Sequence, residues 1–235
     1  MTVPGKLWGL GVGPGDPDLI TLKALKVLQR ADVVAYPAPM MGESFARSIA
    51  APHLAGHQTE YAIRVPMVME RQPAQDAYDK AAEDLKSYLD QGKSIAVLCE
   101  GDPFFFGSFM YIYQRLVSEY DVSVIPGVSS IMACAAEVGM PLAERADIIT
   151  ILPGSLSENE LVQKIENSDT AIIMKVGKNL SKIRTVVNKM NLDTCAVYAE
   201  RATLPEQRII PFEDLKEKSA PYFSMVLVQK NKVIK

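Results

Sequence analysis

Short apolar runs alternate with longer amphipathic stretches through almost the whole chain. Residues 6–12, 32–36, 94–99, 122–125, 147–152, 170–176, 194–199, 208–211 and 223–229 are brief and rich in β-branched or aromatic side chains. Most are bounded by Gly, Pro, Asp or Ser, and they read as strands. Between them, residues 21–30 place Leu22, Leu25 and Leu28 or Gln29 at helical spacing, and residues 74–90 and 178–190 repeat that period. Alternation of this kind predicts an α/β fold of two domains, each a mixed sheet flanked by helices. The expected division is 1–122 and 123–235, with the active site in a cleft between the halves. Residues 42–75 are the least regular part, with Pro52, Pro66 and Pro73 inside and Pro39 just before. They read either as a lid or substrate-binding insertion or as a surface connection.

Composition narrows the classes of function. Of 235 residues, 48% are hydrophobic and 23% charged, ordinary for a chain with a real core. No apolar run approaches the ~18–20 residues of a membrane span. The first six residues lead directly into a strand without a signal peptide's apolar stretch, so a soluble cytoplasmic protein is expected. The net charge is −3 with no basic run, which argues against a nucleic-acid partner and for a small or medium ligand. Cys99, Cys134 and Cys195 are odd in number and far apart, so neither a disulfide framework nor a zinc knuckle is available. His53 and His57 stand four apart, but Pro52 and Gly56 oppose a helix there and no carboxylate or cysteine completes a ligand set, so no metal is expected.

Three loops at strand ends carry the candidate chemistry. The first, Gly9-Leu10-Gly11-Val12-Gly13-Pro14-Gly15-Asp16-Pro17, lacks the third glycine of a dinucleotide fingerprint, and Pro14 removes an amide from any phosphate cradle. It offers instead a tight turn with little side-chain bulk, which lets a ligand approach the backbone, with Asp16 at the strand's end. The second, Cys99-Glu100-Gly101-Asp102-Pro103-Phe104-Phe105-Phe106-Gly107-Ser108, again follows a buried-type strand. Three consecutive phenylalanines cannot all face one core, so at least one lines a pocket or interface. In the third, Pro126-Gly127-Val128-Ser129-Ser130 opens a helix of small residues, and Ser129 or Ser130 is placed to cap it.

These motifs, in this order and spacing, resemble the tetrapyrrole methylase superfamily over essentially the whole chain. Segments 32–37, 100–111 and 127–135 resemble most the branch acting at C20 of precorrin-2; Glu100 stands where the family usually has a second glycine. The resemblance implies S-adenosylmethionine as cofactor, precorrin-2 or its cobalt complex as substrate, and a homodimer. Carried over residue by residue, the implied cofactor contacts are Pro14, Gly101, Asp102, Phe105, Ser129, Ser130, Lys175 (with Met174 the neighbouring alternative), Ala202 and Thr203. Asp16 is the candidate catalytic residue, as a base for the departing proton. A substrate with many carboxylates also needs local positive charge, for which Arg47, Arg64, Arg71, Arg145 and Arg201 are candidates. The rival readings are another methylase of the superfamily and a non-catalytic tetrapyrrole-binding protein.

Overall fold

The computed structural model describes residues 3–66 and 70–230. The described residues form two compact units, one ending at Ser130 and the other beginning at Ile131.

The first unit is built on strands β1 (Lys6–Gly11), β2 (Val33–Pro39), β3 (Thr59–Val65), β4 (Ile95–Cys99) and β5 (Asp121–Ile125), in the order β3-β2-β4-β1-β5. Every pairing is parallel. A parallel sheet needs crossovers, and here four helices supply them: α1 (Leu22–Leu28), α2 (Phe45–Ala50), α3 (Gln72–Asp90) and α4 (Phe109–Leu116). Both faces are therefore covered, which is why β4 reads Ile-Ala-Val-Leu-Cys without a polar residue. Leu7, Ile95, Val97 and Cys99 pack with Leu85 and Leu89 of α3 and Ile112 and Leu116 of α4. Leu10, Ala96 and Leu98 pack on the other face with Leu28 of α1 and Ile49 of α2. Full burial of each such leucine is worth roughly 1.5–3 kcal/mol.

The division expected after residue 122 would cut β5, which pairs with β1 from Lys6↔Asp121 to Leu10↔Ile125. That ladder ties residues 121–125 to the first sheet, so the units part only at the start of helix α5 (Ser130–Val138). The irregular stretch 42–75 contains two elements the pattern does not reveal, α2 and β3, and the first turn of α3. Residues 67–69 of that stretch lie outside the described residues.

The second unit holds β6 (Ile149–Pro153), β7 (Thr170–Met174), β8 (Ala196–Glu200), β9 (Arg208–Pro211) and β10 (Ser224–Gln229), in the order β6-β7-β10-β8-β9. Parallel and antiparallel neighbours mix here, because β10 runs opposite to both β7 and β8. Helices α6 (Glu158–Glu166) and α7 (Leu180–Lys189) bury Leu161, Ile165, Ile183 and Val187 against one face. The α6 N-terminus is a reciprocal cap: Ser157 accepts from the Glu160 amide, and the Glu160 carboxylate accepts from the Ser157 amide.

Asp32 locks the bottom of the first sheet. Its carboxylate accepts from the Ser94 amide at 2.8 Å and the Ser94 hydroxyl at 2.7 Å, and these bonds hold its pKa below the usual value. A lowered folded pKa means stability that is present above the ordinary aspartate value of about 4 and lost as pH falls through the lowered one. Asp32→Ala is expected to cost about 1–3 kcal/mol in urea unfolding near neutrality, with the gap from wild type closing as pH falls through the lowered value.

Candidate functional site

All five strands of the first sheet point the same way, so the loops after β1, β4 and β5 emerge on one edge, beside one another. Open parallel sheets bind ligands outside such an edge. Here the three loops touch through backbone. The Gly101 amide donates to the Gly13 carbonyl at 2.8 Å, and the Val12 amide to the Cys99 carbonyl at 3.0 Å. A Cβ on Gly127 would lie 2.0 Å from the Gly101 carbonyl oxygen, and one on Gly11 would lie 2.4 Å from the Gly127 nitrogen. Only glycine permits that closeness at either position.

Asp102 staples this seam. One carboxylate oxygen accepts from the Phe104 amide at 2.9 Å and the other from the Gly127 amide at 3.1 Å. Its role is therefore architectural as well as any it has toward a ligand. Gly101 adopts a left-handed φ of +63°, and a Cβ there would meet the Ser130 nitrogen at 3.7 Å and the Val128 carbonyl at 3.8 Å. The absent side chain leaves a methyl-sized notch lined by backbone. Gly101, Asp102, Ser129 and Ser130 thus come together, with Pro14 next to Gly13 at the seam's end.

Asp16 accepts from the Asp18 amide at 2.9 Å and caps the short helical turn Pro17–Leu19. The phenylalanines divide: Phe104 stacks edge-on against Tyr113 with centroids 5.0 Å apart, while Phe105 and Phe106 form their own edge-to-face pair at 5.1 Å. Phe104 and Phe106 are about half exposed. Glu100 is a partly buried carboxyl close to the amide of Ala46 in α2, and burial raises its pKa. Burial likewise pushes the Cys99 and Cys134 thiols up to about 12, which leaves neither as a nucleophilic thiolate near neutrality.

In the second unit, Lys175 follows β7, and Ala202 and Thr203 follow β8. Lys175, Arg201 and Thr203 have φ of +56°, +52° and +72°. A β-branched residue such as Thr203 rarely adopts such a backbone, and such strain concentrates where ligands are held. β10 lies between β7 and β8, with Met225 opposite Met174 and Ser224 opposite Glu200. A ligand touching both Lys175 and Ala202 therefore passes over the start of β10. That place holds an exposed edge-to-face pair, Tyr222 and Phe223, at 5.0 Å. The sequence reading passed over this pair, whose only signal was two adjacent aromatics ahead of the last strand.

The five arginines separate by partner. Arg47 grips Glu60 through Nε at 2.6 Å and Nη2 at 2.8 Å. Among the described residues, Arg64 donates to the carbonyls of Pro39 and Gly42, both at 2.8 Å. Arg71 directly precedes α3, and Arg145, like Arg201, has a left-handed φ. His53 lies 3.1 Å from the Pro17 carbonyl, at the end of the turn Ala51–His53, and His57 falls in the loop beyond. Among the described residues, no three His, Cys, Asp or Glu are grouped to hold a metal, and no helix is long and apolar enough to cross a membrane.

Residues 6–217 match the family of tetrapyrrole (corrin/porphyrin) methylases, and the chain belongs to it. It is 38% identical over 236 residues to the cobalamin biosynthesis protein CobIJ of Mycobacterium bovis, a match covering 97% of this chain and 46% of that protein. The chain thus spans about half the length of that relative. It is 37% identical to the precorrin-2 C(20)-methyltransferase of a Sinorhizobium species, covering 95% of both. In fold it resembles the uroporphyrin-III C-methyl transferase of Thermus thermophilus complexed with S-adenyl homocysteine, at TM-score 0.65 and 21% identity, over 96% of this chain and 98% of that one.

Proposed function

We propose that this protein transfers the methyl group of S-adenosylmethionine to C20 of precorrin-2, giving precorrin-3A in cobalamin biosynthesis. The observation that carries this is the 37% identity to the Sinorhizobium C20-methyltransferase along nearly the full length of both chains. The same reading has it working in the cytoplasm, as a homodimer.

The residues fit the cofactor. The notch at Gly101 admits a ligand to the backbone of residues 128–130, and the Asp102 carboxylate can accept further hydrogen bonds beyond its two amide contacts. Pro14, Gly101, Asp102, Phe105, Ser129, Ser130, Lys175, Ala202 and Thr203 are the proposed contacts, with Phe223 added because the second sheet's strand order sets it between the last three. Once bound, the cofactor supplies an activated methyl group on a good leaving group. The protein's share is then chiefly positional: rigid loops hold two partners in line, which can supply several kcal/mol. Asp16 is the proposed acceptor of the proton that the methylated carbon sheds.

The deciding experiment incubates the protein with S-adenosylmethionine and precorrin-2 and follows mass, spectrum and product NMR. One added methyl, at the meso carbon between rings A and D, is the expected result. Uroporphyrinogen III is expected to be a poor substrate, because about 1 Å of misplacement can cost on the order of a hundredfold in rate. Methylation at another carbon would reject the C20 assignment. Pigment binding without turnover would favour the non-catalytic reading, and faster turnover of the cobalt complex would make that the natural substrate.

A further inference from the structure

The C-terminal ends of β2 and β3 border a cavity of about 180 Å³ on the same edge of the first sheet as the glycine seam. Tyr36, Ser44, Arg47, Ser48 and Arg64 line it, with exposed Glu43 at its rim. Two guanidinium groups therefore face one small space.

Their charges are not equally spent. The Glu60 carboxylate takes Arg47 side-on and also accepts from the Tyr36 hydroxyl at 2.8 Å, which neutralises Arg47 and fixes its plane. The Nη1 end of Arg47 takes no part in that grip. Arg64 spends Nη1 on the carbonyls of Pro39 and Gly42, which are dipoles rather than charges. Among the described residues it forms no ion pair, and its Nε and Nη2 hydrogens remain for a ligand. A planar cation held by two carbonyls is pre-organised for a carboxylate, with little rotamer entropy left to lose.

The volume sets the size of the guest. At roughly 30 Å³ per water, the cavity holds about six waters, enough for a carboxymethyl or carboxyethyl arm and far too little for a macrocycle. Precorrin-2 carries such arms around its whole periphery. We infer that this cavity seats one carboxyalkyl side chain of the tetrapyrrole, captured by Arg64 and flanked by the fixed Arg47. The inference rests on the function proposed above and adds to it the group by which the substrate is registered.

The test compares wild type, Arg64→Gln and Arg64→Lys for precorrin-2 binding by fluorescence titration and, separately, for methyl transfer. Arg64→Gln is expected to weaken precorrin-2 binding and raise KM by about tenfold to a hundredfold, the weight of a lost charge-assisted bond. Its kcat and its affinity for S-adenosylhomocysteine are expected to stay near wild type. Arg64→Lys keeps the charge but loses the planar fork, and should recover only part of the affinity. Unchanged precorrin-2 binding in Arg64→Gln overturns the pocket. Equal losses in both variants also overturn it, because Arg64 would then only brace residues 39–42. Failure of the wild type to transfer a methyl group, with Arg64-dependent binding intact, would instead strike at the proposed reaction.

Discussion

Asp16→Asn is expected to slow methylation of precorrin-2 by about a hundredfold or more, the usual weight of a positioned general base. Fold and S-adenosylhomocysteine affinity should barely change. The substitution is informative because of what Asp16 does structurally. Its oxygen caps the turn Pro17–Leu19 through the Asp18 amide, and asparagine is an equally good cap. The variant keeps the turn and removes only the charge and the proton-accepting capacity. Asp16→Ala would remove both, and a thermal melt would then show a loss that the Asn variant lacks. Normal turnover by Asp16→Asn would reduce the residue to its capping role.

Gly127→Ala should be the most damaging single methyl group among the three loops of the seam. The new Cβ would sit 2.0 Å from the Gly101 carbonyl oxygen and 2.7 Å from the Gly11 Cα, and both obstacles are backbone, which no rotamer change relieves. Overpacking of this kind costs about 3 kcal/mol at the top of its usual range, or roughly 6–12 °C in Tm for a chain of this size. The loops after β1, β4 and β5 would have to separate, so S-adenosylhomocysteine binding, read by calorimetry, is expected to fall at least about tenfold, or ~1.4 kcal/mol. Gly56→Ala makes a suitable control. A Cβ there meets nothing within 4 Å, and the substitution carries only the penalty of its positive φ, about 1 kcal/mol. Equal losses in the two variants would mean that the seam tolerates separation.

Where the fold was readable in the sequence, burial on both faces made it so. β4 and β10 show unbroken apolar runs because helices or neighbouring strands leave no solvent side. β3 escaped for the opposite reason. It lies at the sheet edge, and Thr59, Glu60 and Arg64 remain exposed, which breaks the apolar signal. Pro73 reads as an interruption, yet it occupies the first turn of α3, where a missing amide costs nothing. The start of α6 was legible in principle, since Ser157 and Glu160 stand at the spacing of a reciprocal cap. The site divides similarly. Glycine marked the three loops, because close backbone approach excludes every other residue. The strained positions Lys175, Arg201 and Thr203 carry no such mark, as their side chains are ones that normally avoid that backbone. The arginine cavity was hidden because two distant features meet there: the β2–β3 register sets Arg64 beside Ala38, and Glu60 of the same strand holds Arg47 of α2.

Glu100 has a consequence for how the family can diversify. Its carboxyl is buried close to the amide of Ala46, so the loop bearing Gly101 and Asp102 packs beside the helix bearing Arg47. Residue 100 and the segment 44–47 thus behave as a lock and key within one chain. A chimaera that imports residues 40–66 from a relative with glycine at position 100 would leave this carboxyl facing an unfamiliar helix start. Exchange of the substrate-side segment alone is a frustrated graft, and both halves of the lock have to travel together.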